Sequence, residues 1–204
     1  MKRCFKERLP MYAFVVFALA MWALPAEAHL NTTGMGPFYD GLMHFLMSPE
    51  DIIPVFALAL LAGLRGANYG RRALFTLPVV WFVGGLAGVT AATSQPHPFV
   101  AAAWFLLLGG LVAADAKLSL RVTTALAALL GLYHGYLNGT GMGQFQTATV
   151  AFLGLIFAVF VVIALAAAFV VRLQAQWARI AVRVAGSWIA ASGLLMLGWA
   201  VRTR

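Results

Sequence analysis

Six apolar stretches, at about 50–67, 73–93, 98–115, 119–138, 147–171 and 181–201, follow one another with only short polar connections between them. Each is close to the ~20 residues that a helix rising ~1.5 Å per residue needs to cross a bilayer. Lipid offers the backbone no hydrogen-bond partner, so segments this apolar must close their hydrogen bonds internally, as helices. The sequence therefore predicts an all-α membrane protein, with a six-helix transmembrane bundle over residues 50–204. Of the 204 residues 63% are hydrophobic and 10% charged, with mean hydropathy +0.90. That is too little charge to cover a soluble domain, and the loops leave no room for a separate one.

The residues before the first span read differently. Lys2, Arg3, Lys6 and Arg8 form a positive start, Met11 to Leu24 an apolar run short for a span, and Ala26-Glu27-Ala28 a small-x-small site. This is the pattern of a cleavable signal peptide over residues 1–28, leaving His29 as the mature N-terminus. An uncleaved anchor helix is the rival reading. Residues 29–49 then form a polar, glycine-containing stretch too short to cross, lying along the outer surface or dipping into it. Cys4 is the only cysteine and falls in the segment expected to be removed, which excludes disulfides and thiolate metal sites from the mature chain.

Charge sets the orientation. The net charge of +8 does not point to nucleic acid, because no basic patch is interleaved with exposed aromatics. Arg65, Arg71, Arg72, Lys117, Arg121, Arg172, Arg179 and Arg183 instead fall in loops that alternate to one side. Loops near 94–98 and 138–146 have no Lys or Arg, and only Arg202 and Arg204 lie on their side. With the mature N-terminus exported, the arginine-rich loops face the cytoplasm of a bacterial inner membrane. Gly84 and Gly88 form one GxxxG pair, and Gly131, Gly135, Gly139 and Gly143 a longer stripe, where helix backbones can approach closely.

Polar residues at the membrane are few enough to weigh singly. His134, near the outer end of the fourth span, is the strongest candidate, since an ionisable group in a span is costly and functional by default. Asn138 lies one turn further on. Glu50 and Asp51 open the first span. Ser48 as N-cap, Pro49 at the first position and Asp51 at the third also make an ordinary helix start, so capping competes with a ligand role. Asp40 and His44 are four apart on one helix face of the preceding stretch. His29 would combine an imidazole with the free amine, and His97 sits between Pro96 and Pro98 in an outer turn. On this topology every histidine lies outside, with every acid of the mature chain except Asp115. Asp115 and Lys117 are expected to pair with each other or with water. Imidazole and carboxylate without thiolate suit Ni, Co, Zn or Cu(II) rather than Cu(I).

Two stretches carry a resemblance. His44-Phe45-Leu46-Met47-Ser48-Pro49-Glu50-Asp51 is similar to the H-x5-D-H motif of the HupE/UreJ family of bacterial nickel permeases, with Glu50 for the aspartate and Asp51 for the second histidine. Tyr133-His134-Gly135-Tyr136-Leu137-Asn138-Gly139-Thr140-Gly141 resembles that family's F-H-G-x-A-x-G-x-E motif, with Gly141 in place of the glutamate. The layout of signal and six helices covers essentially the whole chain. The resemblance implies a permease for a divalent transition metal, nickel before cobalt, zinc or copper.

The expected function is capture of that ion at the outer ends of the first and fourth spans. The expected metal ligands are His134, His44, Glu50, Asp51, Asp40, Asn138 and His29. A non-conducting metal-binding or assembly subunit is the alternative. No P-loop, H-E-x-x-H or G-x-S-x-G is present, so neither a nucleotide-driven pump nor an enzyme is expected. No tightly bound cofactor is expected, and the partners are the lipid bilayer and a divalent metal ion, with an oligomer or partner protein left open.

Overall fold

The structure, a computed structural model, describes residues 33–91, 97–142 and 148–202. The expected signal segment, His29 and Gly143 lie outside these residues. Seven helices make up the described fold: α1 (Pro37–Met47), α2 (Pro49–Arg65), α3 (Ala67–Val89), α4 (Pro98–Ala113), α5 (Leu120–Met142), α6 (Ala148–Val171) and α7 (Gln176–Arg202). The protein is an all-α membrane protein. α3, α6 and α7 are each long and apolar enough to cross a membrane. α1 and α2 pass the same test together, as a pair bent by 73°, while α4 is a shorter apolar helix. α5 has 23 residues, but His134, Asn138 and two tyrosines dilute its hydropathy, which marks it as a helix that needs protein around it.

α2 is that kind of helix in its apolar half. Val55 and the run from Ala57 to Leu64 are all buried, as expected of a helix that is hydrophobic all round. α3, α4 and α6 pack around it. Lipid-facing side chains ring the outside, with Phe75, Phe157, Leu165, Phe169, Trp188, Leu195 and Trp199 all exposed. Such a contiguous apolar surface is stable only against hydrocarbon.

Glycines set the closest helix approaches. The most extensive pairing is α3 on α5. A methyl at Gly135 would overlap the Trp81 carbonyl, one at Gly139 the Gly85 carbonyl, and one at Gly88 the Tyr136 carbonyl. The glycine pair of α3 and the stripe of α5 are thus two halves of one interface. α1 and α6 meet the same way, through Gly41 against Ala151 and Gly154 against Phe38. Residues 37–47 therefore do not merely rest on the surface. They are packed into the bundle.

At the arginine-rich end the helix termini are tied together. Asp115 adopts φ 49 just after α4, a left-handed turn that aspartate tolerates better than most residues. Its carboxylate pairs with Arg65 at the end of α2, and Arg179 of α7 lies 3.9 Å away. The expected pairing of Asp115 with Lys117 is replaced by this one, because the turn carries Asp115 back toward α2. Arg179 and Arg183 donate to the Leu64 and Ala113 carbonyls, cations placed on the unsatisfied C-terminal ends of α2 and α4.

Candidate functional site

At the opposite end, the first turn of α2 and the last turns of α5 meet through polar side chains. His134 Nδ1 lies 2.7 Å from Asp51 Oδ1. Asn138 donates from Nδ2 to Asp51 Oδ2 at 3.0 Å and to the His134 carbonyl at 2.9 Å. Asp51, His134 and Asn138 are 4%, 3% and 7% exposed. A cluster this deep in an apolar molecule is expensive unless its groups are paired.

Pairing is complete on one side only. A carboxylate only accepts, so Nδ1 of His134 carries the proton and donates it to Asp51. In the neutral imidazole Nε2 then holds a lone pair, and that nitrogen is buried with no partner. Both N–H groups of Asn138 are spent on Asp51 and the His134 carbonyl, and its Oδ1 is likewise buried and unpartnered. One nitrogen and one oxygen, one helical turn apart on α5, therefore stand unsatisfied, and with a neutral imidazole both are acceptors. Carboxylate behind imidazole is also the arrangement that fixes the tautomer of metal-binding histidines and raises their basicity.

Aromatic rings close the site. Trp81 of α3, fully buried, stacks on His134 at 5.5 Å between centroids, and Phe45 of α1 makes a T-shaped contact with Trp81 at 6.0 Å. Tyr133 stands edge-on to His134, and Trp104 of α4 lies 6.4 Å from it. Trp81 Nε1 is buried without a partner as well. Trp104 and Tyr133 also line an apolar cavity of about 750 Å³ between α4 and α5.

Of the residues singled out in the sequence, the structure thus brings together Asp51, His134 and Asn138. Asp51 does not cap α2, whose N-cap Ser48 makes no side-chain cap and instead donates to the His44 carbonyl. Asp40 is buried but accepts from the Thr33 N–H and hydroxyl, seven residues back. His44 is half-buried, and Glu50 and His97 are exposed. Among the described residues no three His, Cys, Asp or Glu side chains gather to hold a metal. Sequence reasoning missed Trp81 and Trp104. Trp81 was within reach, since it precedes Gly84 by one turn and so shares the glycine face that meets α5.

The fold and the site together define an all-α membrane protein with a buried Asp–His–Asn cluster joining two helix ends. The chain belongs to the HupE / UreJ protein family, whose model matches residues 17–196. Comparison with curated proteins gives no match, and comparison with solved structures gives none.

Proposed function

We propose that this chain is a membrane permease for a divalent transition-metal ion, nickel in the first place. The observation that carries the reading is the pair of unpartnered acceptors, His134 Nε2 and Asn138 Oδ1, with Asp51 behind the imidazole. A nitrogen and an oxygen donor without thiolate match a borderline cation such as Ni(II) or Co(II). Asp51 supplies the negative charge that lets a dication enter a low-dielectric site. Two protein donors are too few for a closed coordination shell, which suits an ion that must leave again. In this reading the signal is cleaved after Ala28, six helices span the inner membrane, and the site faces the outside. Asp40, His44, Glu50 and His29 would act earlier, as ion-attracting groups on the approach.

The test is nickel accumulation in cells expressing wild-type chain or His134→Ala at matched protein level. Accumulation should fall at least tenfold in the variant. Wild-type uptake by His134→Ala would sink the proposal.

One observation favours a second reading, a metal-binding subunit that does not conduct. From the cluster toward the arginine-rich end, Val55, Leu58, Leu61, Leu77 and Leu130 are completely buried, and Thr123 is the one buried polar side chain on that side among the described residues. Nickel flux into proteoliposomes containing the purified chain separates the two, because a binding subunit would retain nickel without passing it.

A further inference from the structure

The arginine-rich end holds a second site, unconnected with the Asp51–His134 cluster. Three of the seven arginines there are already engaged: Arg65 and Arg179 with Asp115, and Arg179 and Arg183 with helix carbonyls. Arg71 and Arg72 are not. Arg71 donates to the Asn68 side-chain oxygen at 2.5 Å, an uncharged partner on the same helix. Arg72 makes no hydrogen bond or ion pair with any described residue. Both line one cavity of about 460 Å³, together with Asn68, Phe75, Thr76 and Leu120. No acid lines it.

The lining is ordered along the helix axis. Asn68, Arg71 and Arg72 lie in the first turns of α3, and Phe75 and Thr76 one turn deeper into the bundle. Leu120, the first residue of α5, closes the side. Phe75 is exposed toward lipid. The cavity is therefore cationic where it meets the membrane surface and apolar where it meets hydrocarbon. Guanidinium groups bind phosphate through forked, charge-assisted hydrogen bonds. The first turn of α3 adds N–H groups free of helical partners.

We propose that this cavity binds an anionic phospholipid. The phosphate sits between Arg71 and Arg72, the glycerol region reaches Thr76, and an acyl chain runs past Phe75 and Leu120. A free phosphate would leave the apolar half unused, and a zwitterionic lipid would bring its own cation to two arginines that lack an acid.

The experiment is thermal unfolding of the detergent-purified full chain, titrated with phosphatidylglycerol, phosphatidylcholine of the same acyl chains, or inorganic phosphate. Phosphatidylglycerol should raise Tm by several degrees, and the other two should not. The Arg71→Gln/Arg72→Gln pair should lose the rise. Lys117→Gln/Arg172→Gln removes the same charge at the same end, outside the cavity, and should keep it. The charge-conserving Arg71→Lys/Arg72→Lys pair guards against a folding failure of the glutamine pair. It should need at least threefold more phosphatidylglycerol for half the rise. An equal rise with phosphatidylcholine or phosphate overturns the proposal. So does equal loss in both glutamine pairs, or an unchanged midpoint in the lysine pair.

Discussion

Asp51 meets two demands at once. As the third residue of α2 it lies where the helix dipole favours a negative charge. From there its two oxygens reach across to His134 and Asn138 on α5. The neighbouring Glu50 meets only the first demand, because its side chain turns outward. Substitution should therefore separate two adjacent acids that look equivalent in the sequence. Asp51→Asn keeps the shape but must set its amide N–H against either the Asn138 N–H or His134 Nδ1, and it removes the charge behind the imidazole. Partners of this kind are worth ~10–100-fold in metal affinity. Calorimetric titration of the purified protein with nickel should show a loss of that order for Asp51→Asn, and less than twofold for Glu50→Gln. Equal losses would mean that the carboxylates act as a diffuse charge, not as a positioned pair.

At the scale of elements, the site depends on how closely α3 approaches α5. Trp81 stacks on His134 from α3, and its own carbonyl occupies the space a side chain at Gly135 would need. Gly135→Ala must push the helices apart or shift Trp81, an overpacking that costs ~1–3 kcal/mol. It should lower Tm by several degrees and weaken nickel binding together. Gly141→Ala adds the same methyl to the same helix in open space and should leave both unchanged. The sequence made these stripes visible but not their pairing. Spacing of four residues places glycines on a face, whereas which face meets which is a tertiary fact. The same limit explains Asp51: Ser48-Pro49-Glu50-Asp51 is a helix start by local rules, and helix starts carry no information on what a freed carboxylate will reach 83 residues away.

At the scale of the molecule, helix positions were legible because lipid as solvent makes hydropathy and length nearly sufficient. The expected stretches 119–138 and 147–171 correspond to α5 (Leu120–Met142) and α6 (Ala148–Val171), whereas α3 (Ala67–Val89) and α7 (Gln176–Arg202) begin well before the expected 73 and 181, because their first turns carry the arginines of the polar end. The helix at 37–47 was the exception. It is too short and too polar to read as a span, and it enters the bundle only because Gly41 and Gly154 let it lie against α6. Polarity of the whole molecule is the remaining question with a direct test. The two ends differ in kind: arginines tie off helix termini at one, while acceptors without donors collect at the other. If the positive end faces the cytoplasm, a cysteine replacing Glu50 in a Cys4→Ser background should react with an impermeant maleimide in intact cells. A cysteine replacing Lys117, exposed at the arginine-rich end, should react only after permeabilisation. The opposite pattern would turn the Asp51–His134 cluster inward, and the proposed permease would then collect its ion from the cytoplasm.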